Sequence, residues 1–244
     1  MTLLAVGALN ACNSSQEKQT EDELENYSQE GDSTIYGMAC DGCNDTIIVY
    51  LRTPYSGTDP DTLNVLEATR HHHVFGKPRI GDKLAIVRSP KDTTAADIVI
   101  VTEKMLGNWC YKVLPSLKMR ADMEGKTISQ KIKQLPDSIA DLLKVEHEYG
   151  IQLKADNQAF PIGLRKEKNT SDEESPVVYP QQKFYNEWFI YNGQIVLRNM
   201  TPDSLGQNHV AFSDTAQLVL LEQDSLILKF NDHQQSFYRQ ENVK

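Results

Sequence analysis

Cys40-Asp-Gly-Cys43 sets two thiols three positions apart around a turn-forming pair. A Cys-x-x-Cys pair serves three chemistries: a dithiol redox couple, half of a zinc site, or a structural disulfide. A redox pair needs a helix N-terminus to lower one thiol pKa. Here Asp41-Gly42 favours a turn, and the β-branched run Thr46–Leu51 follows, so a hairpin or loop is expected. A disulfide is the plainer expectation, within the pair or from one member to Cys110. His71-His72-His73 is the second cluster. On an extended strand His71 and His73 would point to one face, a spacing that two metal ligands use. With Cys40 and Cys43 they would complete a Cys2His2 site; an exposed polar run after Arg70 is the simpler reading.

No nucleophile elbow, phosphate loop, His-Glu-x-x-His helix or dinucleotide fingerprint occurs. The carboxylates form no recognisable catalytic frame, so no enzyme activity and no cofactor are expected. Tyr179, Phe184, Tyr185, Trp188, Phe189 and Tyr191 form an aromatic stretch. Alternation puts Phe184 and Trp188 on one face, and Tyr185, Phe189 and Tyr191 on the other. Core packing is one reading of this stretch. The other is a strip lining a ligand or stacking on a glycan, with Phe184, Trp188 and Tyr191 as candidate contacts.

The elements that would position these residues read as β-rich. Thr46–Leu51, Leu63–Leu66, Lys83–Val87 and Ala96–Val101 are short apolar runs with turn clusters between them. That spacing predicts a small sandwich or OB-like barrel of five or six strands over residues 33–103. Eight strands are expected over 104–240. They are the strand of Trp109, then 149–153, 159–164, 183–191, 194–198, 215–221, 225–230 and 236–239. Eight antiparallel strands close a barrel that side chains fill, or that holds one small ligand. Asn192-Gly193 is a strong hairpin signal, and 154–157 and 231–232 are turn candidates. Between the first two strands of this set, Ile128, Ile132, Leu135, Ile139, Leu142 and Leu143 recur at helical spacing, with Pro136 splitting the helix and Asp137 opening a second one.

Leu106-Gly107-Asn108-Trp109 resembles the Gly-x-Trp that opens the first strand of lipocalins and their bacterial relatives. The resemblance implies that Gly107 lets the chain approach the closed end of a barrel, that Trp109 plugs it, and that a basic residue near the last strand, here Arg239, covers the indole. Arginine over an indole is a favoured cation–π pair.

The N-terminus reads as an address. Residues 1–12 are apolar and alanine-rich, and resemble a bacterial secretory signal ending in a lipobox, with Leu9, Ala11 and the acylated Cys12. Residues 13–32 hold seven carboxylates against Lys18, −6 of the chain's −9 charge. Such a segment reads as a solvated tether; an acidic stretch after an acylated Cys resembles the surface-export signal of Bacteroidetes lipoproteins. Acyl chains such as palmitate would hold the protein, each buried methylene contributing about 0.8 kcal/mol. The acidic balance argues against nucleic-acid partners, and no apolar run is long enough to be a membrane-spanning helix.

Taken together, Cys12 with its acidic follow-on, residues 36–43, 76–82 and 107–113, and Ser213-Asp-Thr215 resemble Bacteroidetes surface lipoproteins with a C-terminal lipocalin-like domain. Residues 241–244 read as a tail. The resemblance implies a fold and an outer-membrane, surface-exposed address, but no catalytic residues. The expected partners are the membrane, through the anchor, and a small hydrophobic ligand or glycan. A filled barrel acting as a scaffold is the alternative, and a metal or redox protein using Cys40, Cys43 and His71–His73 the remoter one.

Overall fold

The computed structural model describes residues 30–55, 57–118, 137–164 and 177–240. Among the described residues the protein is mostly β, with 53% strand and 8% helix. The first half contains β1 (Thr34–Ala39), β2 (Ile47–Arg52), β3 (Asp61–Asn64), α1 (Leu66–Arg70), β4 (Val74–Phe75), β5 (Lys83–Arg88) and β6 (Ala96–Val101). The second contains α2 (Thr102–Met105), β7 (Gly107–Val113), β8 (Ser116–Leu117), α3 (Asp137–Leu142), β9 (His147–Leu153), β10 (Ala159–Ile162), β11 (Val177–Val178), β12 (Glu187–Tyr191), β13 (Gln194–Pro202), β14 (Asn208–Leu221), β15 (Ser225–Lys229) and β16 (Gln234–Gln240).

The first sheet is six-stranded, in the order β3-β2-β1-β5-β6-β4, with β4 parallel to β6. A parallel bridge from Asn64 to Ala95 links the end of β3 to the start of β6. The run expected to continue as strand through Leu66 stops at Asn64. The Asn64 Oδ1 accepts the Leu66 N–H at 2.9 Å, and Leu-Glu-Ala-Thr-Arg then winds as α1.

The second sheet is an eight-stranded antiparallel half-barrel, in the order β10-β9-β7-β16-β15-β14-β13-β12. The last strand pairs with the first, Arg239 opposite Trp109. The two edge strands meet at one corner, where Gln158 bridges Glu187 and the Trp188 N–H donates to Asn157 O at 2.8 Å. The Asn192-Gly193 hairpin turn has both residues at positive φ, 49° and 74°, as a primed two-residue turn requires. α3 covers Asp137–Leu142; the earlier part of the predicted helical stretch, Pro136 included, lies outside the described residues.

β5 and β6 explain how the sheets combine. Leu84 and Ile86, with Val99 and Val101, point into a core shared with Ile48, Tyr50 and Leu63. Ala85 and Ile100 point the opposite way, into the cluster built around Trp109, Trp188 and Leu226. Both faces of these two strands are therefore buried, which is why their sequences are continuous apolar runs rather than alternating ones. Fully burying one Val, Leu or Ile contributes about 1.5–3 kcal/mol.

Candidate functional site

The two ends of the curled sheet are built differently. At one end the connections are short: 154–158, 192–193 and 222–224. Trp109 is 0% exposed, and its Nε1 donates to Met105 O at 2.7 Å. The Arg239 guanidinium lies 4.0 Å from the Trp109 ring centroid. It donates from Nη1 to Leu106 O (2.6 Å), from Nη2 to Lys104 O (2.7 Å) and from Nε to Gln223 O (2.5 Å). Burial pulls this guanidinium's pKa below its ordinary value. Gly107 has φ +128°, and a side chain there would run into Arg239 Nη1. One residue therefore covers the indole and satisfies three carbonyls, which only a planar fork of donors can do.

The first sheet backs this end. The Tyr36 hydroxyl donates to Ile190 O at 3.3 Å, the Asn192 N–H donates to Asp32 Oδ1 at 2.9 Å, and the Ser33 N–H donates to Asn192 Oδ1 at 2.8 Å. Gly193 is buried, and a Cβ there would stand 2.7 Å from Ile98 Cδ1.

At the other end the long connections 114–146 and 163–186 leave the sheet, together with the β13–β14 hairpin. The inner face changes from aliphatic to aromatic and polar. Tyr111 meets Phe237 edge-on at 5.4 Å and Tyr149 at 6.1 Å. Tyr185 meets Phe212 at 5.6 Å, and Tyr111 is near enough to act on its ionisation. Tyr111, Tyr185, Phe212 and Phe230 are all half-buried. The Tyr185 hydroxyl donates to Asp214 Oδ2 at 2.5 Å, and Lys183 Nζ donates to the same oxygen at 2.7 Å. Burial pushes the Asp214 carboxyl up, but these two hydrogen bonds and the Lys183 charge outweigh it and hold its pKa below the ordinary value. Burial, then the bond to Asp214, raises the Tyr185 hydroxyl. Asn199, opposite Phe212 across β13 and β14, has a buried Oδ1 with no hydrogen-bond partner among the described residues.

The aromatic stretch keeps the expected alternation from Trp188 to Tyr191 and departs from it before Trp188, at Phe184 and Tyr185. Trp188 is 0% exposed and its Nε1 donates to Lys154 O at 2.8 Å, so it fills the wall of the sheet. Phe184 is 39% exposed and lies outside the apolar cluster, and Tyr191 faces away from Trp188, its hydroxyl donating to Glu30 O at 3.3 Å. The cause is Asn186. Its side chain brackets the Met200 backbone, donating to Met200 O and accepting from Met200 N, both at 2.7 Å. β12 starts only after that clasp, so the phase shifts and Tyr185, not Phe184, packs on the core. Tyr111, Phe212, Asp214 and Phe230 also escape the sequence reading. Their signal is the alternation itself, two positions out from Trp109 and outward from Ala216 through Asp214 to Phe212.

The cysteine and histidine expectations need correction. Cys40, Cys43 and Cys110 are free thiols. Cys110 is buried on β7, its Sγ 3.6 Å from Gln240 Oε1, in a different sheet from the other two. Burial, then the Glu148 charge, pushes its thiol up to about 11. Cys40 Sγ faces Met38 O at 3.8 Å, whereas Cys43 Sγ faces Val49 O at 3.3 Å, so the paired thiols are directed at different carbonyls. The histidines are not on a strand: His71 caps α1 and His72 has φ +59°. The His71 and His73 rings lie 6.1 Å apart, but among the described residues no three His, Cys, Asp or Glu side chains are placed to hold a metal ion. The Cys2His2 arrangement is not formed. Cys12 and the N-terminal address lie outside the described residues, and no described helix is long and apolar enough to cross a membrane.

Compared with protein-family models, curated proteins and solved structures, the chain matches none of them.

Proposed function

We propose that this chain is a lipid-anchored, non-enzymatic binding protein of the cell envelope, whose second sheet is a lipocalin-like barrel. Its open end holds one small ligand, apolar or glycan in character. The observation that carries this reading is the set of half-buried aromatics, Tyr111, Tyr185, Phe212 and Phe230, with Tyr185 packed on Phe212, at the end where the long connections leave. Apolar surface with a few placed polar groups is what small-ligand sites present, and Asn199 Oδ1 and the Tyr185–Asp214 pair supply those groups.

The lipocalin-like reading is supported by the meander order, the pairing of last strand with first, and Arg239 over Trp109. An OB-like reading of the first sheet is supported by its strand order, by α1 after β3, and by the parallel Asn64–Ala95 bridge. The anchor rests on Cys12 and the acidic tether, and implies an outer-membrane, surface-exposed location like that of the Bacteroidetes lipoproteins the sequence resembles. Deep inside, Trp109, Trp188, Ile195 and Leu226 fill the sheet at 0% exposure, which favours a shallow mouth site over a deep cavity and keeps the filled scaffold as the second reading.

Native mass spectrometry of the Cys12→Ser chain, expressed in a bacterial host and purified without detergent, tests this. A co-purified small molecule that Tyr185→Ala and Phe212→Ala lose without unfolding is the expected result. A bare polypeptide mass that neither fatty acids nor oligosaccharides shift overturns ligand binding and leaves the scaffold. Membrane fractionation of the same variant checks the anchor, which fails if Cys12→Ser stays membrane-bound.

A further inference from the structure

The wall of the mouth built by β13, β14 and the segment before β12 carries more polar groups than an apolar ligand can use. Register sets Asn199 opposite Phe212 and Leu197 opposite Asp214. Leu197 belongs to the inner core, so Asn199, Phe212 and Asp214 share its face. Tyr185 joins them, its ring 5.6 Å from Phe212 and its hydroxyl on Asp214 Oδ2. Asn199 Oδ1 is a buried acceptor with no hydrogen-bond partner among the described residues. The residue as a whole is only half-buried, and its amide torsion is soft, so a ligand hydroxyl can draw that oxygen to the mouth. The bonds from Tyr185 and Lys183 both end on Asp214 Oδ2 rather than on Oδ1. Beyond Asn199 the β13–β14 hairpin continues with Thr201 opposite His209, the hydroxyl 3.3 Å from the His209 Nε2.

We infer that the mouth selects a neutral oligosaccharide, with one sugar ring on Phe212 and Tyr185, hydroxyls donating to Asn199 Oδ1 and Asp214, and a further sugar along Thr201 and His209. The choice rests on the mouth reading and sharpens it, taking the glycan over the apolar ligand. A plain hydrocarbon leaves Asn199 Oδ1 unpaired, and a buried orphan acceptor keeps its full desolvation penalty. Charge rules against a fatty-acid anion. Lys183 lies 2.7 Å from Asp214 Oδ2, Asp232 is near enough to raise the Asp214 carboxyl, and His233 stands 2.6 Å from Asp232 and stacks on Phe230 at 4.9 Å. Two carboxylates face one ammonium, so the balance is negative while the imidazole is neutral, and a third carboxylate is repelled. Lys183 already occupies the position on Asp214 that a ligand ammonium would take. A sugar meets both demands: its C–H face lies on aromatic carbon, and each hydroxyl is a donor.

Saturation-transfer NMR on the Cys12→Ser full-length chain tests this, with maltotriose, cellotriose and mannotriose set against dodecanoate and dodecylammonium, each alone and in competition. The expected result is that at least one trisaccharide binds and that equimolar dodecanoate does not displace it. Phe212→Ala should abolish that binding, and Asn199→Leu and Asp214→Asn should each weaken it at least about threefold. Circular dichroism checks that the variants are folded; if Phe212→Ala unfolds, the other two carry the test. Dodecanoate or dodecylammonium that binds through Phe212 and outcompetes every trisaccharide overturns the choice of glycan and leaves the mouth standing. A trisaccharide that survives the combined Asn199→Leu and Asp214→Asn substitution sits elsewhere and also overturns it. No binding by any of the five probes overturns the glycan and the mouth together.

Discussion

The sealed end of the curled sheet and the end proposed as its open mouth use the same kinds of residue for opposite purposes. At the sealed end an aromatic ring, a cation and backbone carbonyls lock together: Trp109 is fully buried under Arg239, and every guanidinium nitrogen donates. At the open end Tyr185, Lys183 and Asp214 also pair an aromatic, a cation and oxygen, but half-buried and around one carboxylate. The difference lies in connection length and backing. At the sealed end the turns 154–158, 192–193 and 222–224 run two to five residues, and the 192–193 turn is pressed against the first sheet through Ile98 and Asp32.

Substitutions at the two ends test that contrast, and the largest effect belongs to the seal. Trp109→Ala should cost roughly 3–5 kcal/mol in denaturant unfolding, the usual toll for removing a buried tryptophan. A loss under about 1 kcal/mol would mean that the ring does not plug the end. Arg239→Gln should cost about 1.5–3 kcal/mol, the range for a hydrogen bond to a charged group, since carbonyls are left unpaired; Arg239→Lys should recover little, because an ammonium cannot fork to three carbonyls. At the open end Tyr185→Phe should cost about 1 kcal/mol or less. The acid limb of stability sharpens this prediction. Because Asp214 is held below its unfolded value, its contribution is present above the ordinary carboxylate range and is lost as pH falls through the folded value. Asp214→Asn should therefore flatten that limb. Leu205→Ser, on the β13–β14 turn at 82% exposure, should stay within about 0.5 kcal/mol. A seal variant milder than Leu205→Ser would erase the distinction between the ends.

Much of the strand pattern is legible because burial on one or both faces writes itself into composition. The eight strands of the second sheet fall where apolar runs and turn residues put them, and Asn192-Gly193 sits at a primed turn. β1 does not stand out as a strand, because Gly37 interrupts its β-type run. α1 is hidden because Leu66 prolongs an apolar run and helix formers decide the conformation only after the Asn64 side chain takes up the Leu66 N–H. The site is less legible. Asn186 shifts the phase of β12 through a side-chain clasp on a residue fourteen positions away, which no local periodicity encodes. The cysteine and histidine chemistry depends on which sheet each residue joins, a long-range fact. Residue types mark the histidine triplet as a candidate, and among the described residues three-dimensional placement leaves it outside any cluster of metal ligands.

β5 and β6 form a party wall between two rooms, so neither room has a complete set of walls without the other. Expressing residues 33–103 or 104–240 alone would leave Ala85, Ile100 and Phe75 on one fragment and Met105 and Trp109 on the other, each with bare apolar plaster facing water. The chain should melt in a single step, and a protein cut between Glu103 and Lys104 should be recovered only when both pieces are made together.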